Sequence, residues 1–177
     1  YGFLNNRING TIEYYYRNTT DLINEVDIPA GTNFKTMVTK NIGSLRNTGV
    51  EFAINGVLID RKNFKWDLSY NVTWNDNKIT KLEGRDDPDY YIPTGGINNG
   101  QRIQAHKVGY AASSFYVYET ALDQETGKRV IVDRSEDGVI DEKDKYFYHN
   151  PAAPVTMGLA TKWQFYGFDL GISFRAS

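Results

Sequence analysis

The sequence predicts an all-β protein made of antiparallel strands of a transmembrane, outer-membrane β-barrel with long extracellular loops. Three observations carry that expectation. Residues 64–74 alternate strictly, with Phe64, Trp66, Leu68, Tyr70, Val72 and Trp74 on one face and Lys65, Asp67, Ser69, Asn71 and Thr73 on the other. A period of two marks a strand with one dry and one wet face. Aromatic residues make up 14% of the chain, 13 of them tyrosines, and they stand near both ends of this run, where the interfacial girdles of a membrane barrel lie. The connections alternate between tiny turns and long loops, as in barrels whose short turns face the periplasm and whose long loops face outward.

The elements follow in order. Residues 7–17 alternate, with Ile8, Ile12, Tyr14 and Tyr16 on the dry face. Val50, Phe52, Ile54 and Leu58 then alternate with Gly49, Glu51, Ala53 and Asn55. Asp60-Arg61-Lys62-Asn63 is a short polar hairpin turn. The strand 64–74 has eleven residues; at roughly 3.3 Å each and a tilt of about 45° it spans roughly 25 Å, the height of an outer-membrane apolar band. Met157, Leu159, Trp163 and Phe165 oppose Gly158, Ala160, Lys162 and Gln164; after the turn Tyr166-Gly167, Phe168, Leu170, Ile172 and Phe174 oppose Asp169, Gly171, Ser173 and Arg175.

That makes about five strands of about ten residues, no amphipathic helix, and two long connections, 18–47 and 75–155. Bacterial barrels begin at about eight strands, so residues 1–177 are expected to be a single segment of a larger barrel. The turns at 60–63 and 166–167 are expected on the periplasmic side and 75–155 outside the cell.

Composition removes other classes. Charged residues are 24% and the net charge is −2, a near-balance that argues against nucleic-acid binding, which needs a basic face to neutralise phosphates. Without cysteine there is no disulfide or thiolate metal site. No apolar run reaches the ~18 residues of a membrane helix, and the mean hydropathy of −0.54 is uninformative for a barrel, whose alternation averages out. The alternative is a soluble β-sandwich, a calcium-binding adhesin or surface-attached binding module. Phe52, Trp66, Leu68, Val72, Leu170 and Ile172 would then pack on a second sheet, although sandwich strands usually run to only about 5–6 residues.

The sharpest chemical motif is the segment 133–144. Oxygen donors fall at its first, third, fifth, ninth and twelfth positions: Asp133, Ser135, Asp137, Asp141 and Asp144. Gly138 holds the sixth, where a calcium loop turns sharply, Val139 would give its backbone carbonyl from the seventh, and Ile140 is an apolar anchor at the eighth. Ca²⁺ takes six to eight hard oxygens, and this spacing wraps them around one point. Asp at the twelfth position departs from the EF-hand pattern and resembles the dockerin-type loop. An ordinary acidic Asp-Gly turn is the plain alternative. Other candidates are weaker. Gly95-Gly96-Ile97-Asn98-Asn99-Gly100 opens no helix and is no phosphate cradle. His106 and His149 have no partner pattern, and Glu51 and Asp67 read as lumen lining rather than a glycosidase pair. Tyr90-Tyr91 suits either sugar stacking or loop packing.

Asn41-Ile42-Gly43-Ser44-Leu45-Arg46-Asn47-Thr48-Gly49-Val50-Glu51 carries the pattern Asn-x-Gly-x-x-x-Asn-x-Gly-Val-Glu entering a strand. It resembles the SusC/RagA family of TonB-dependent outer-membrane transporters of Bacteroidetes. Residues 7–22, with Tyr15, Thr20 and Asp21-Leu22, are similar to the family as well. So are Phe64-Lys65-Trp66, 71–77, 108–116, 137–144 and 151–154, so that the resemblance covers nearly the whole chain. It implies a piece of the C-terminal part of a barrel of about 22 strands with a plugged lumen. The plug, the remaining strands and the TonB-contacting region then lie outside these residues. It further implies a nutrient importer, not an enzyme, embedded in outer-membrane lipid. Its partners would be a SusD-like surface lipoprotein closing over the mouth and TonB supplying energy, and its cargo glycans (oligosaccharides) or peptides.

Overall fold

The computed structural model describes residues 1–27, 37–82, 87–97 and 100–177. Among them the elements are β1 (Gly2–Phe3), β2 (Ile8–Asp27), β3 (Met37–Arg61), β4 (Phe64–Leu82), β5 (Tyr91–Gly96), β6 (Arg102–Lys107), β7 (Ser114–Tyr118), β8 (Thr120–Leu122), β9 (Arg129–Ile131), one turn of 3-10 helix (Glu142–Asp144), β10 (Lys145–Phe147), β11 (Val155–Phe165) and β12 (Phe168–Ala176). The chain is all-β, as expected. Its main sheet has the order β1-β2-β3-β4-β11-β12, so the five expected strands stand in sequence order, with the two-residue β1 added at one edge. Contacts divide the chain into two compact units, Tyr1–Asn18 with Arg46–Asp76 and Ala153–Ser177, and Thr19–Leu45 with Asn77–Ala152.

In the first unit the register fixes the two faces. Trp66 lies opposite Trp163, Leu68 opposite Thr161, Tyr70 opposite Leu159 and Val72 opposite Met157. Trp163 in turn faces Leu170, Thr161 faces Ile172 and Leu159 faces Phe174. Opposed residues share a face of a sheet, so the dry residues of β4, β11 and β12 form one continuous surface. The Asn55 amide donates to Asn9 Oδ1 at 3.2 Å and the Tyr15 hydroxyl to Asn75 Oδ1 at 2.8 Å. These bonds join odd-numbered residues across β2, β3 and β4, which leaves Ile12, Tyr14, Val50, Phe52 and Ile54 on the dry side. Phe64 meets Phe165 edge-on with ring centroids 6.3 Å apart, and Trp66 stacks on Trp163 at 6.3 Å. Thr161 is the polar exception on this face. Its Oγ1 accepts from the Trp66 indole N–H at 2.8 Å and donates to the Asp67 carbonyl at 3.3 Å, so both polar groups are paired.

The dry surface has no second layer among the described residues. Tyr14 is 68% exposed, Phe168 79% and Phe174 60%. A sandwich would have buried them, and a continuous apolar face of this extent is foreign to a protein surrounded by water. The hairpin into β12 turns through Tyr166 (φ 45°) and Gly167 (φ 86°). Both residues are left-handed, the type I′ geometry whose twist suits a two-residue hairpin, and glycine adopts it without steric cost. The turn between β3 and β4 is tighter than the sequence suggested: β3 runs to Arg61 and β4 starts at Phe64.

The second unit has a four-stranded sheet, order β10-β7-β6-β5, and the small hairpin β8-β9. Its buried apolar residues are Ile79, Ile92 and Ala105. Ile79 belongs to β4 and exchanges backbone bonds with the 109–110 turn: its N–H donates to the Tyr110 carbonyl at 2.8 Å and its carbonyl accepts from Gly109 N–H at 2.9 Å. The described residues of the expected connection 75–155 are therefore folded, and 75–82 continue β4 instead of opening a loop.

The other long connection, 18–47, is a correction to the expected loop. β2 continues to Asp27 and β3 is under way from Met37; residues 28–36 lie outside the described residues. The physical reason is visible in Asn18-Thr19-Thr20 and in 44–48, which place polar groups on both faces. A strand without a dry side has no period-two signal to read.

Candidate functional site

Two surfaces could carry function: the wet face of the first unit and the loop cluster of the second. On the wet face Lys65, Asp67, Ser69 and Asn71 of β4 lie opposite Gln164, Lys162, Ala160 and Gly158 of β11, and Asp169, Gly171 and Ser173 of β12 continue it. Asp67 is 3.7 Å from Lys65 and opposes Lys162. Its ion-pair and β11 partners are thus the cations Lys65 and Lys162, which suits a charged, hydrated lining. Asp67, Ser69, Ala160, Lys162, Gly171 and Ser173 contribute to one shallow depression.

In the second unit the segment 133–144 closes on itself. Asp144 is fully buried and its carboxylate accepts the N–H groups of Arg134 and Ser135, each at 3.0 Å, and of Asp141 at 2.7 Å. Asp141 caps the 3-10 turn reciprocally by accepting from Lys143 N–H at 2.8 Å. Asp133 Oδ2 accepts from Gly138 N–H at 2.7 Å and Oδ1 from the Ser135 hydroxyl at 3.2 Å. Gly138 has φ +81°, the left-handed geometry that the tight turn requires. Asp137 accepts from Val139 N–H at 3.0 Å and from the Lys143 ammonium at 3.1 Å; the same ammonium is 3.8 Å from Asp141.

The structure thus brings Asp133, Ser135 and Asp144 together through backbone donors, and Asp137 and Asp141 around Lys143. Among the described residues no group of three or more acidic or histidine side chains is arranged as a metal cage. The Lys143 hydrogen bond holds the Asp137 carboxyl below the usual carboxylate range. The Ser135 N–H, followed by that of Asp141, does the same for Asp144, and Asp137 raises the Lys143 ammonium.

The remaining candidates have ordinary roles. His106 Nδ1 accepts the Ser113 N–H at 2.9 Å and burial pushes its pKa down, so it is a satisfied histidine. His149 packs against Tyr148 with the two rings tilted by 52°. Tyr91 packs on Tyr116 at 4.8 Å, Tyr116 on Phe147 at 4.9 Å and Phe147 on Tyr110 at 4.3 Å. In the glycine-rich segment, Gly95 and Gly96 end β5, and Asn98 and Asn99 lie outside the described residues. Sequence reasoning missed Lys143 as the loop's own cation and Asp144 as its organiser. The spacing Asp141-x-x-Asp144, a capping-box pattern, was the signal available.

One antiparallel sheet, dry on one side and charged on the other, with short hairpins and a folded long connection, is the wall of an outer-membrane β-barrel. The chain belongs to the family described as "TonB dependent receptor-like, beta-barrel", which matches residues 1–174. Proteins of this family sit in the bacterial outer membrane. The chain is 55% identical to the TonB-dependent receptor SusC of Bacteroides thetaiotaomicron, over 100% of its own length and 18% of that protein's. It is 30% identical to the TonB-dependent receptor P3 of Formosa agariphila, over 97% of the chain and 19% of the relative. Among solved structures it resembles the RagAB peptide importer in the open-open state, with a TM-score of 0.73 and 27% identity over 98% of the chain and 19% of the other. The chain therefore spans about a fifth of the length of these relatives.

Proposed function

We propose that the chain is a stretch of wall and outer loops of a SusC/RagA-type nutrient importer. It takes up oligosaccharides or peptides together with a SusD-like surface lipoprotein, and TonB supplies the energy through a region outside residues 1–177. The observation that carries this reading is the 55% identity to SusC along the whole chain. The charged wet face, with Asp67 beside Lys65, suits the lining of a hydrated lumen. The test is uptake of labelled oligosaccharides and peptides by cells carrying the full-length protein. Loss of one cargo class on deletion of this protein, and again on loss of TonB, is the expected result. Uptake of both classes unchanged by deletion would overturn it.

The calcium site spelled by Asp133, Ser135, Asp137, the Val139 carbonyl, Asp141 and Asp144 is a second, smaller proposal. Its support is the donor spacing and the concentration of carboxylates, of which the Lys143 ammonium reaches only Asp137 and Asp141. Ca²⁺ would have to displace Lys143 from Asp137, so its affinity is expected to be weak, roughly 10⁻⁴–10⁻³ M. Calorimetry with Ca²⁺ on the full-length protein tests it. A heat that disappears in Asp137→Ala supports the site, and an identical trace in both proteins removes it.

A further inference from the structure

We propose that Tyr15, Gly49 and Asn75 form a register lock across three neighbouring strands of the barrel wall, and that this contact selects the strand alignment when the wall assembles. The three residues belong to β2, β3 and β4, which are successive in the sheet, and to one compact unit. They also come from three sequence segments that each carry the family resemblance and lie far apart in the chain.

The Tyr15 hydroxyl donates to Asn75 Oδ1 at 2.8 Å. Tyr15 and Asn75 are on the outer two of the three strands, so the side chain must cross the middle strand to make that bond. It does so at Gly49. A Cβ placed on Gly49 would collide with Cζ and the hydroxyl of Tyr15 and with the Trp74 carbonyl. Gly49 is buried because the tyrosine lies over it. The backbone N–H of Asn75 donates to the Pro154 carbonyl at 2.9 Å, which carries the lock on to the residue preceding β11.

The selectivity follows from the sequence of β3. Between 44 and 55 every residue other than Gly49 has a Cβ. A slip of one residue would put Thr48 or Val50 under the tyrosine, and a slip of two would put Asn47 or Glu51 there. The one-residue slip would also turn every dry side chain to the wet face. The lock lies on the wet face beside Trp74, at the end of the dry run of β4, while the flanking Tyr14 and Tyr16 are on the dry face. It therefore pins the register where the apolar pattern that fixes it elsewhere stops.

The experiment uses the full-length protein assembled in its outer membrane. The readouts are the fraction migrating as a compact, heat-modifiable barrel and its thermal midpoint. Gly49→Ala is expected to lower the compact fraction several-fold. Tyr15→Ala in the Gly49→Ala background is expected to restore part of it, because the ring that collides has gone. Tyr15→Phe and Asn75→Ala are each expected to lower the thermal midpoint, and the double variant should fall no further than the worse single one. A Gly49→Ala protein that assembles and melts like the unaltered protein would overturn the lock. So would full additivity of Tyr15→Phe and Asn75→Ala.

Discussion

The two units put their apolar residues to opposite use. In the second, Ile79, Ile92 and Ala105 are buried, as in any small domain that folds in water. In the first, Tyr14, Phe168, Leu170 and Phe174 stand 57–79% exposed on a face that no other layer covers among the described residues. The same chain has a unit folded for water and a unit folded for lipid. Alternation marks only the first: the strands of the second, with Ile92 and Ala105 buried, show no period of two. What distinguishes them is whether the dry face finds protein or must find a bilayer.

Experiments can break that contrast, and the largest effect expected is all-or-none. Lys62 sits in the β3–β4 turn and Lys128 in the β8–β9 hairpin, and both are exposed. An impermeant amine label on intact cells should modify Lys128 and spare Lys62. The reverse pattern would invert the topology. Next comes the cost of charge on each face. Leu68→Arg, near the middle of the dry run, should destabilise the full-length barrel by about 2–4 kcal/mol in denaturant titrations in lipid. Ser69→Arg, on the wet face, should change it little. Equal costs would mean that the two faces do not differ in solvent.

A smaller and local effect is expected in the loop. Asp144→Ala leaves the Arg134, Ser135 and Asp141 N–H groups without their acceptor. Hydrogen exchange over 133–147 should lose protection on the order of tenfold, while the barrel melts as before. The pH dependence has a definite sign. Backbone donors hold the Asp144 carboxyl below its ordinary value, and Lys143 does the same for Asp137. Their stabilisation is therefore complete above the ordinary carboxylate pKa of about 4 and is lost as pH falls through the lowered values. The protection factors of this loop, taken relative to the intrinsic pH dependence of amide exchange, should fall below about pH 4 and be flat from about pH 5 to 7. Protection factors that fall toward pH 7 would contradict the assignment. The smallest effect belongs to the dry face's polar exception. Thr161→Val strands the Trp66 indole N–H and should cost about 0.5–1.5 kcal/mol in the same denaturant titration. A gain in stability would show that Trp66 finds another acceptor at the lipid boundary.

The sequence by itself determined the strands that have two unlike faces. Residues 64–74 and 168–175 name their dry side chains without any coordinates, because burial on one side of a pleat imposes a period of two. It likewise displayed the glycine-centred signature at 47–51 and the acidic spacing of 133–144. Only the tertiary structure decided the rest, for physical reasons that differ by place. β2 and β3 run on through Asn18-Thr19-Thr20 and 44–48, where both faces are polar and pairing with a neighbouring strand, not hydrophobicity, holds the chain extended. The small sheet of β5, β6, β7 and β10 depends on pairings such as Tyr116 with Phe147, which join residues thirty-one positions apart in the numbering. The carboxylates of 133–144 turn toward backbone N–H groups and Lys143, a choice fixed by donors that spacing does not reveal. The reason for Gly49 was unreadable too: a glycine in a strand announces a close approach, but that the approaching group is Tyr15, on its way to Asn75, follows only from strands packed side by side.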